Sequence, residues 1–184
     1  TARFSDTAKN LYKLYLVFTL VQVVLLCLGG MSVYDAFLHT FGSLGTGGFS
    51  NYNDSVGHFN TYIQIVILIF MILAGMNFNL FFVLQRKGLR KFLHDDELRF
   101  YLAVIGIAST AIFICNQVNS NFKDTARSLL DSFFQVVSIL TTTGYVTDDY
   151  DLWPTFSRMI LFCLFFFGGC SSSTSGGIKC VRVL

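Results

Sequence analysis

The sequence predicts an all-α membrane protein made of tandem units, each a helix, a re-entrant pore loop and a second helix, as in potassium channels. The chain is 53% hydrophobic and 13% charged, whereas soluble domains carry about a quarter charged residues. Two short motifs, Thr46-Gly-Gly-Phe49 and Thr142-Thr-Gly-Tyr145, coincide when the sequence is shifted by 96 residues. Four charge-free spans also reach the roughly 20 residues that a helix needs to cross a bilayer, and they are 14–34, 55–85, 100–122 and 159–178.

The repeat predicts a first unit, residues 1–84, and a second unit, residues 100–184, joined by a linker at 85–99. Basic residues predict that both termini and this linker are cytoplasmic. The predicted inner segments, 1–13, 85–99 and 179–184, hold ten basic and four acidic residues, a net charge of +6. The remaining, outer segments hold three basic and seven acidic residues, a net charge of −4. The acidic outer face raises the local concentration of cations. A net charge of +2 for the whole chain does not indicate a nucleic-acid partner.

After its first crossing helix, each unit continues into a short apolar stretch that opens with a Ser-x-x-Asp box. The boxes are Ser32-Val-Tyr-Asp35 and Ser128-Leu-Leu-Asp131, a pattern that caps the first turn of a helix. The stretches end at Leu44 and Leu140, and about 11–12 residues give only about 16–18 Å of helix, too short to cross a bilayer. We therefore predict two re-entrant half-helices whose negative C-terminal dipole ends point towards a cation.

The Thr-x-Gly-aromatic motifs that follow fit a filter built from backbone carbonyls. Glycines let an extended strand adopt positive φ, and Thr46 and Thr142 add hydroxyls below the carbonyls. Phe49 and Tyr145 are predicted to wedge each strand against its own half-helix. The alternative is that both motifs are ordinary turns between helices.

The last helix is predicted to be broken. Gly168-Gly-Cys-Ser-Ser-Ser-Thr-Ser-Gly-Gly177 is a run of ten small residues, four of them glycine, and such a run is a poor helix interior. A Walker A loop is excluded because Ile178 separates Gly177 from Lys179. Two interpretations remain: small residues for close helix packing, and a segment unwound beneath the filter that acts as a gate. In the first unit the matching stretch carries Asn77 and Asn79, for which we predict interhelical hydrogen bonds.

The remaining reactive side chains do not form a recognisable site. Five cysteines lie in or beside apolar spans without CxxC spacing, so they are predicted to be small buried hydrophobes with neither a disulfide nor a metal site. An intramembrane hydrolase using Ser171–Ser175 is a remote alternative, because the chain lacks Gly-x-Ser-x-Gly and its three histidines are scattered.

Three motifs resemble the TrkH potassium-uptake family, which belongs to a superfamily with KtrB and the plant HKT transporters. They are Leu44-Gly-Thr-Gly-Gly-Phe-Ser50, Thr141-Thr-Thr-Gly-Tyr145 followed by Asp149-Tyr-Asp-Leu-Trp-Pro154, and the small-residue run extended to Lys179. The resemblance covers essentially the whole chain. It implies four repeats around one pore, with this chain similar to the second and third, so the first and fourth belong to a longer polypeptide. Two copies pairing about a twofold axis are the alternative.

The resemblance also implies the transported ion, the site and the partners. Potassium would move through a channel-like or symporter-like pathway in the bacterial inner membrane, without a cofactor. A homodimer would sit on a cytoplasmic nucleotide-binding ring of the TrkA type, which would meet 85–99. In the family a filter serine goes with sodium permeability, so glycine at both third filter positions favours potassium over a Na⁺-selective or Na⁺-coupled relative.

The implied site residues fall into two groups. The potassium ligands are the carbonyl oxygens of Thr46, Gly47, Gly48, Thr142, Thr143 and Gly144. The gate residues are Gly168, Gly169, Ser173, Thr174, Gly176 and Gly177.

Overall fold

The computed structural model describes residues 2–119 and 124–182, except the side chains of residues 2–7, 10 and 85–87. Within those ranges the chain forms eight α-helices and two single turns of 3-10 helix. The α-helices are α1 Ala2–Leu28, α2 Val33–Leu44, α3 Thr61–Gly75, α4 Phe78–Lys87, α5 Leu89–Phe92, α6 Asp96–Asn119, α7 Thr125–Leu140 and α8 Thr155–Leu164. The 3-10 turns are Tyr150–Leu152 and Cys180–Arg182.

The first crossing helix of each unit is confirmed by α1 and α6. Both are long and apolar enough to cross a bilayer. Their outward faces carry large exposed apolar side chains, such as Leu20 and Val24 on α1 and Ile107 on α6. A helix exposed to lipid is expected to have such a face, since lipid tails are as apolar as leucine. The chain is therefore an all-α membrane protein, as predicted.

The second crossing helix of the first unit differs from the prediction, whereas that of the second unit is broken as predicted. The span 55–85 is not one helix, because α3 and α4 meet at an angle of 91°. Met76 and Asn77 are extended at the break, and the Asn77 side chain caps α4 by accepting a hydrogen bond from Asn79 N at 3.0 Å. In the second unit α8 ends at Leu164, and the small-residue run that follows is not helical. Both second helices are thus interrupted.

The two half-helices are of different lengths. As predicted, α2 has 12 residues and its cap is Ser32, whose hydroxyl accepts from Asp35 N at 3.1 Å. The predicted start of the second half-helix at Ser128 is wrong, because α7 has 16 residues and is capped by Asp124. Asp124 accepts from the N–H groups of the first turn, so the backbone is already helical when it reaches Ser128.

Packing brings the turns that follow the two half-helices together where the units meet. In the first unit α1 packs against α2 and α3, and in the second unit α6 packs against α7 and α8. The units meet where α3 contacts α7. Polar side chains join neighbouring helices, as Gln22 Nε2 does by donating to Ser43 Oγ at 2.6 Å. This arrangement brings the two C-terminal ends of α2 and α7, and the turns after them, close together.

Candidate functional site: two pore-loop turns above a small-residue loop

The turns 45–49 and 141–145 have the same backbone hydrogen bonds. In each, one carbonyl in the last turn of the half-helix accepts from two consecutive N–H groups. Such bonds satisfy carbonyls that a helix C-terminus otherwise leaves unpaired. The bonds are Gly47 N–Gly42 O (2.8 Å), Gly48 N–Gly42 O (3.1 Å), Thr143 N–Ser138 O (2.9 Å) and Gly144 N–Ser138 O (3.2 Å).

The two turns also share unusual dihedral angles. Thr46 and Thr142 have φ of 51° and 57°, and Gly48 and Gly144 have φ of 63° and 89°. Glycine adopts positive φ without penalty, whereas threonine in this region stores strain of about 1–3 kcal/mol and is held there by its surroundings. Strain at equivalent positions of two separate loops indicates a shared structural requirement.

The predicted ligand carbonyls form no hydrogen bonds with the part of the chain that the structure describes. Within residues 2–119 and 124–182, none of the carbonyl oxygens of Thr46, Gly47, Gly48, Thr142, Thr143 and Gly144 accepts one. Their N–H groups, by contrast, are bonded to the ends of α2 and α7. Unpaired backbone carbonyls are tolerated at membrane depth only where they face water or an ion. The turns therefore present oxygen ligands suited to a dehydrated cation.

The aromatic residues of the two motifs have different surroundings. Tyr145 is fully buried, and its hydroxyl donates to His39 O at 3.2 Å and Phe49 O at 3.1 Å. It therefore packs against α2 of the first unit, not against its own half-helix α7 as predicted. Gly42 makes this possible, because a Cβ there would lie 2.1 Å from the Tyr145 hydroxyl oxygen. Phe49 is 74% exposed, its ring lies beside Gly47 of its own turn, and its support of the half-helix stays a prediction.

Residues 165–179, which follow α8, form a closed loop that we call the lower loop. Gly168 N donates to Ile178 O at 2.8 Å, and Gly169 N donates to Ser175 Oγ at 3.0 Å. The first of these bonds closes the base of the loop. A Cβ on Gly168 would lie 2.1 Å from Gly176 O, so only glycine permits this approach. The small-residue run is thus a compact non-helical loop.

The lower loop contacts both pore-loop turns through their threonines. Thr46 Oγ1 donates to Thr174 O at 3.1 Å. Gly176 N donates to Thr142 Oγ1 at 2.7 Å. The two hydroxyls predicted to lie below the carbonyls are thus the points at which the lower loop is attached, and movement of the loop must break or rearrange these bonds.

The lower loop also docks onto the break between α3 and α4. Cys170 N donates to Gly75 O at 2.8 Å, and Phe78 N donates to Ser172 O at 3.2 Å. The break exposes these backbone groups, and the loop satisfies them. Asn77 Nδ2 donates to Ser171 Oγ at 3.2 Å, so this bond joins the break to the loop and is not the interhelical bond that was predicted. Asn79 is exposed.

Sequence reasoning missed Glu97, which lies in the first turn of α6. Its carboxylate accepts from Ser171 N at 2.5 Å and from Ser171 Oγ at 2.8 Å. Charge-assisted bonds of this kind are about twice as strong as neutral ones. An acidic residue at the start of an apolar span was the only available signal. Lys179, by donating to Ser175 O and to Ser173 Oγ (3.3 Å), holds the other side of the loop.

Two carboxylates, Asp35 and Asp131, lie on the half-helices away from the turns. Asp35 accepts from Ser32 Oγ at 2.7 Å, Asn51 Nδ2 at 2.8 Å and Tyr52 Oη at 3.2 Å. The Ser32 bond, helped by Asn51 and Tyr52, outweighs desolvation and holds the pKa of Asp35 below its ordinary value. Its equivalent, Asp131, instead pairs with Arg127 Nε at 2.9 Å and Thr147 Oγ1 at 2.8 Å.

An intramembrane hydrolase is not supported. His39 bonds Asp35 O and Ser50 Oγ, His58 stacks on Tyr52 at 4.4 Å, and His94 bonds Arg90 O. None of these contacts brings a base to the serine run. The described residues contain no cluster of metal ligands, and the five cysteines are free thiols. Cys170 and Cys180 are buried as predicted, but Cys163 is exposed on α8.

Comparison with known proteins gives a consistent result. The family TrkH, described as a cation transport protein, matches residues 1–184. The chain is similar to the Trk system potassium uptake protein TrkH of Salmonella typhimurium, with 38% identity over 99% of this chain and 38% of that protein. It is 36% identical to TrkG of Escherichia coli over 100% of this chain and 38% of that protein.

A solved structure agrees with the sequence matches. The crystal structure of the potassium transporter TrkH from Vibrio parahaemolyticus superposes with a TM-score of 0.93 and 31% identity. The superposition covers 100% of this chain and 40% of that one. The chain thus spans about two fifths of the length of these relatives.

Proposed function

This chain belongs to the TrkH family of cation transport proteins, and on that basis we propose that it supplies two pore loops of a potassium pathway across the membrane. The relatives are named as potassium uptake proteins. Each loop consists of a half-helix and its turn, α2 with 45–49 and α7 with 141–145. The proposed domains are the first unit, the linker and the second unit.

The unpaired carbonyls of the two turns carry this proposal. Six carbonyl oxygens accept no hydrogen bond from the described residues, and they follow the C-terminal ends of two half-helices, whose dipoles favour a cation. The proposed ligands are the carbonyls of Thr46, Gly47 and Gly48 and their equivalents Thr142, Thr143 and Gly144. Oxygen ligands of this kind replace the hydration shell of potassium. The acidic groups on the outer side raise the local cation concentration.

The lower loop is the proposed gate. Its bonds to Thr46 and Thr142 place backbone directly beneath both turns, where it obstructs an ion leaving the filter. Gly168, Gly169, Ser173 and Gly177 allow the loop to fold tightly in this position. Because the loop is held by hydrogen bonds and its residues 168–177 carry only small side chains, it can be displaced without unfolding a helix.

The proposed setting is the bacterial inner membrane, with both termini of this segment in the cytoplasm. The positive-inside distribution of charge supports that orientation. Of the charges used, Lys123 lies outside the described residues, as do the side chains of Arg3, Asp6, Arg86 and Lys87. The proposed partners are membrane lipid, a second copy of the protein, and a cytoplasmic TrkA-type ring that contacts the linker.

Serine at the third filter position tests the ligand assignment. In the full-length protein reconstituted in liposomes, Gly48→Ser and Gly144→Ser should raise the Na⁺/K⁺ flux ratio, because a hydroxyl alters the carbonyl cage. Gly48→Ser adds a clash, since a Cβ at Gly48 would lie 2.0 Å from Thr143 O whereas one at Gly144 meets no described atom within 4 Å. Both glycines have positive φ, so each serine is strained. Alanine at each position controls for strain. An unchanged flux ratio in both serine variants would count against this filter.

Weakening the lower loop tests the gate. Glu97→Gln removes the charge that holds Ser171, a change of about 1.5–3 kcal/mol for hydrogen bonds to a charged group. Single-channel recording should then show a higher open probability with unchanged K⁺/Na⁺ selectivity, and shortening 168–177 should have the same effect. Asp95→Asn, at the residue just before α6, is the matched control for loss of one negative charge, because asparagine can keep the bond from Leu98 N. Unaltered opening in both loop variants would exclude this loop as the gate.

A further inference from the structure

Two cysteines stand at the base of the lower loop. Cys170 lies within the loop and Cys180 directly follows it, and between them residues 171–179 carry the bonds to Thr46 and Thr142. Both cysteines are buried free thiols, and a hydrogen bond joins their side chains. Neither is among the proposed filter or gate residues, so the contact between them is available for another role.

The backbone holds the two cysteines side by side. Cys180 N donates to Gly169 O at 3.2 Å, and that carbonyl belongs to the peptide bond that joins Gly169 to Cys170. The Cys180 thiol donates to Gly168 O at 3.2 Å, and Cys170 is fixed by its own N–H, which donates to Gly75 O at 2.8 Å. A disulfide requires two Cα atoms within about 7 Å and side chains that point towards each other. Residues that are paired through one peptide unit and touch through their thiols are placed for that bond.

We propose that Cys170 and Cys180 are a reversible redox pair, whose disulfide fastens the lower loop in its folded position. The oxidant is a small uncharged peroxide, of which hydrogen peroxide is the simplest, because the buried pair leaves no room for a bulky or charged reagent. The described residues provide no cluster of three metal ligands here, so the pair is suited to redox chemistry and not to holding a metal. Transient disulfides that sense oxidants occur even in reducing compartments.

Formation of the disulfide consumes one hydrogen peroxide and releases two water molecules. The sulfur of one thiolate attacks a peroxide oxygen, the O–O bond breaks, and the departing hydroxide takes up the thiol proton as water. The second thiol then attacks the sulfur of the sulfenic acid, so that the S–S bond forms, the S–O bond breaks and the second water leaves. Two small thiols reverse the step by exchange: they are oxidised to their own disulfide and the pair is reduced.

Access of the oxidant depends on movement of the loop. Because a buried thiol is inert, oxidation begins when the loop is displaced, and the second sulfur is reached as the loop folds back. The disulfide then ties Cys180 to Cys170, which is held at Gly75 O. A cross-link over about ten residues favours the folded loop by up to about a hundredfold. The effect on potassium flux rests on the proposed gate, whereas formation of the disulfide does not.

Peptide mapping of the full-length protein in liposomes tests the disulfide, with every cysteine except this pair replaced by alanine. Hydrogen peroxide is added, free thiols are blocked, and trypsin then cleaves after Lys179, which lies between the two cysteines. Peptides 159–179 and 180–182 should stay joined in monomer-sized protein and separate on reduction. Cys180→Ser is the matched control, because a hydroxyl can still donate to Gly168 O. Separate peptides, or joined peptides only in a dimer-sized band, would overturn the proposal and leave the two thiols a packing role.

Potassium efflux from the same liposomes tests what the disulfide does. Oxidation should lower efflux by about tenfold or more, dithiothreitol should restore it, and Cys180→Ser should not respond. Joined peptides with unchanged efflux would support the disulfide and count against the lower loop as the gate. Thr46→Val, which weakens attachment of the loop, should form the joined peptides about fivefold faster than Thr46→Ser. Equal rates in these two variants would overturn loop displacement as the route by which the oxidant enters.

Discussion

The turns 45–49 and 141–145 have nearly the same backbone but different neighbours. Each uses two N–H groups to bond one carbonyl near the end of its half-helix, and each holds threonine and glycine at positive φ. Around the first turn, space left by Gly42 and Gly48 is filled by the second unit. Around the second turn the equivalent space is open. The comparison shows that the backbone conformation of each turn is set by local hydrogen bonds, whereas its side-chain surroundings depend on which unit lies beside it.

The half-helices differ in the same way. Ser32 caps α2, but Ser128 lies within α7, which begins one turn earlier at the Asp124 cap. Asp35 is held by neutral donors, whereas Asp131 pairs with Arg127. Identical residues at equivalent positions of the two units therefore have different structural roles. What the two units share is the direction of each half-helix and the turn that follows it.

The largest expected effect on this comparison comes from Gly42→Ala. The added methyl group would lie 2.1 Å from the Tyr145 hydroxyl oxygen, and overpacking costs about 1–3 kcal/mol. Thermal unfolding of the full-length protein in detergent should show a clear loss of stability. Tyr145→Phe in the same protein should recover part of it, since the clashing oxygen is gone. If Gly42→Ala is as stable as the unmodified protein, the two units do not pack against each other at Gly42 and Tyr145.

An intermediate effect is expected at the threonines that hold the lower loop. Thr46→Val and Thr142→Val each remove one hydrogen bond to the loop, worth about 1 kcal/mol, or about fivefold in an equilibrium. Each should raise the rate of potassium efflux from loaded liposomes, and serine at either position should preserve the original rate. A larger effect from one site would show that the gate is held mainly from one unit. An unchanged efflux rate in both valine variants would show that these two bonds do not control the passage of potassium.

The smallest effect is expected from the two box serines. Ser32→Ala removes a helix cap and should cost about 1 kcal/mol of stability. Ser128→Ala should be neutral or slightly stabilising, because the Ser128 hydroxyl is buried without a hydrogen-bond partner among the described residues. Thermal unfolding of the two variants side by side measures the difference. Equal losses would mean that both serines act as caps, contrary to the observed start of α7.

Much of the architecture was predictable because it depends on local patterns. Long apolar spans indicated α1 and α6, a Ser-x-x-Asp box indicated the start of α2, and ten small residues indicated that the last helix is broken. The break between α3 and α4 was missed, because Met76 and Asn77 lie within an otherwise apolar span. The longer α7 was missed because Asp124 competes successfully with Ser128 as the cap.

The candidate ligands and gate residues were named from their motifs, and their roles stay predictions. Contacts between the motifs could not be predicted. Nothing in the sequence pairs Thr46 with Thr174, which lies 128 residues away, or Glu97 with Ser171. Tyr145 likewise matches Phe49 in the motif, yet one is fully buried and the other is 74% exposed.

By itself, then, the sequence determined the helical spans, the repeated turns and the broken last helix, because hydrophobicity, helix propensity and glycine's freedom at positive φ act within a few residues. Only the tertiary structure decided that Tyr145 packs against the other unit and that Thr46 and Thr142 both bond the lower loop. It also decided that the space beside the second turn is open. The physical reason is that these features depend on packing between segments far apart in the chain, where space and unpaired polar groups exist only after the helices have assembled.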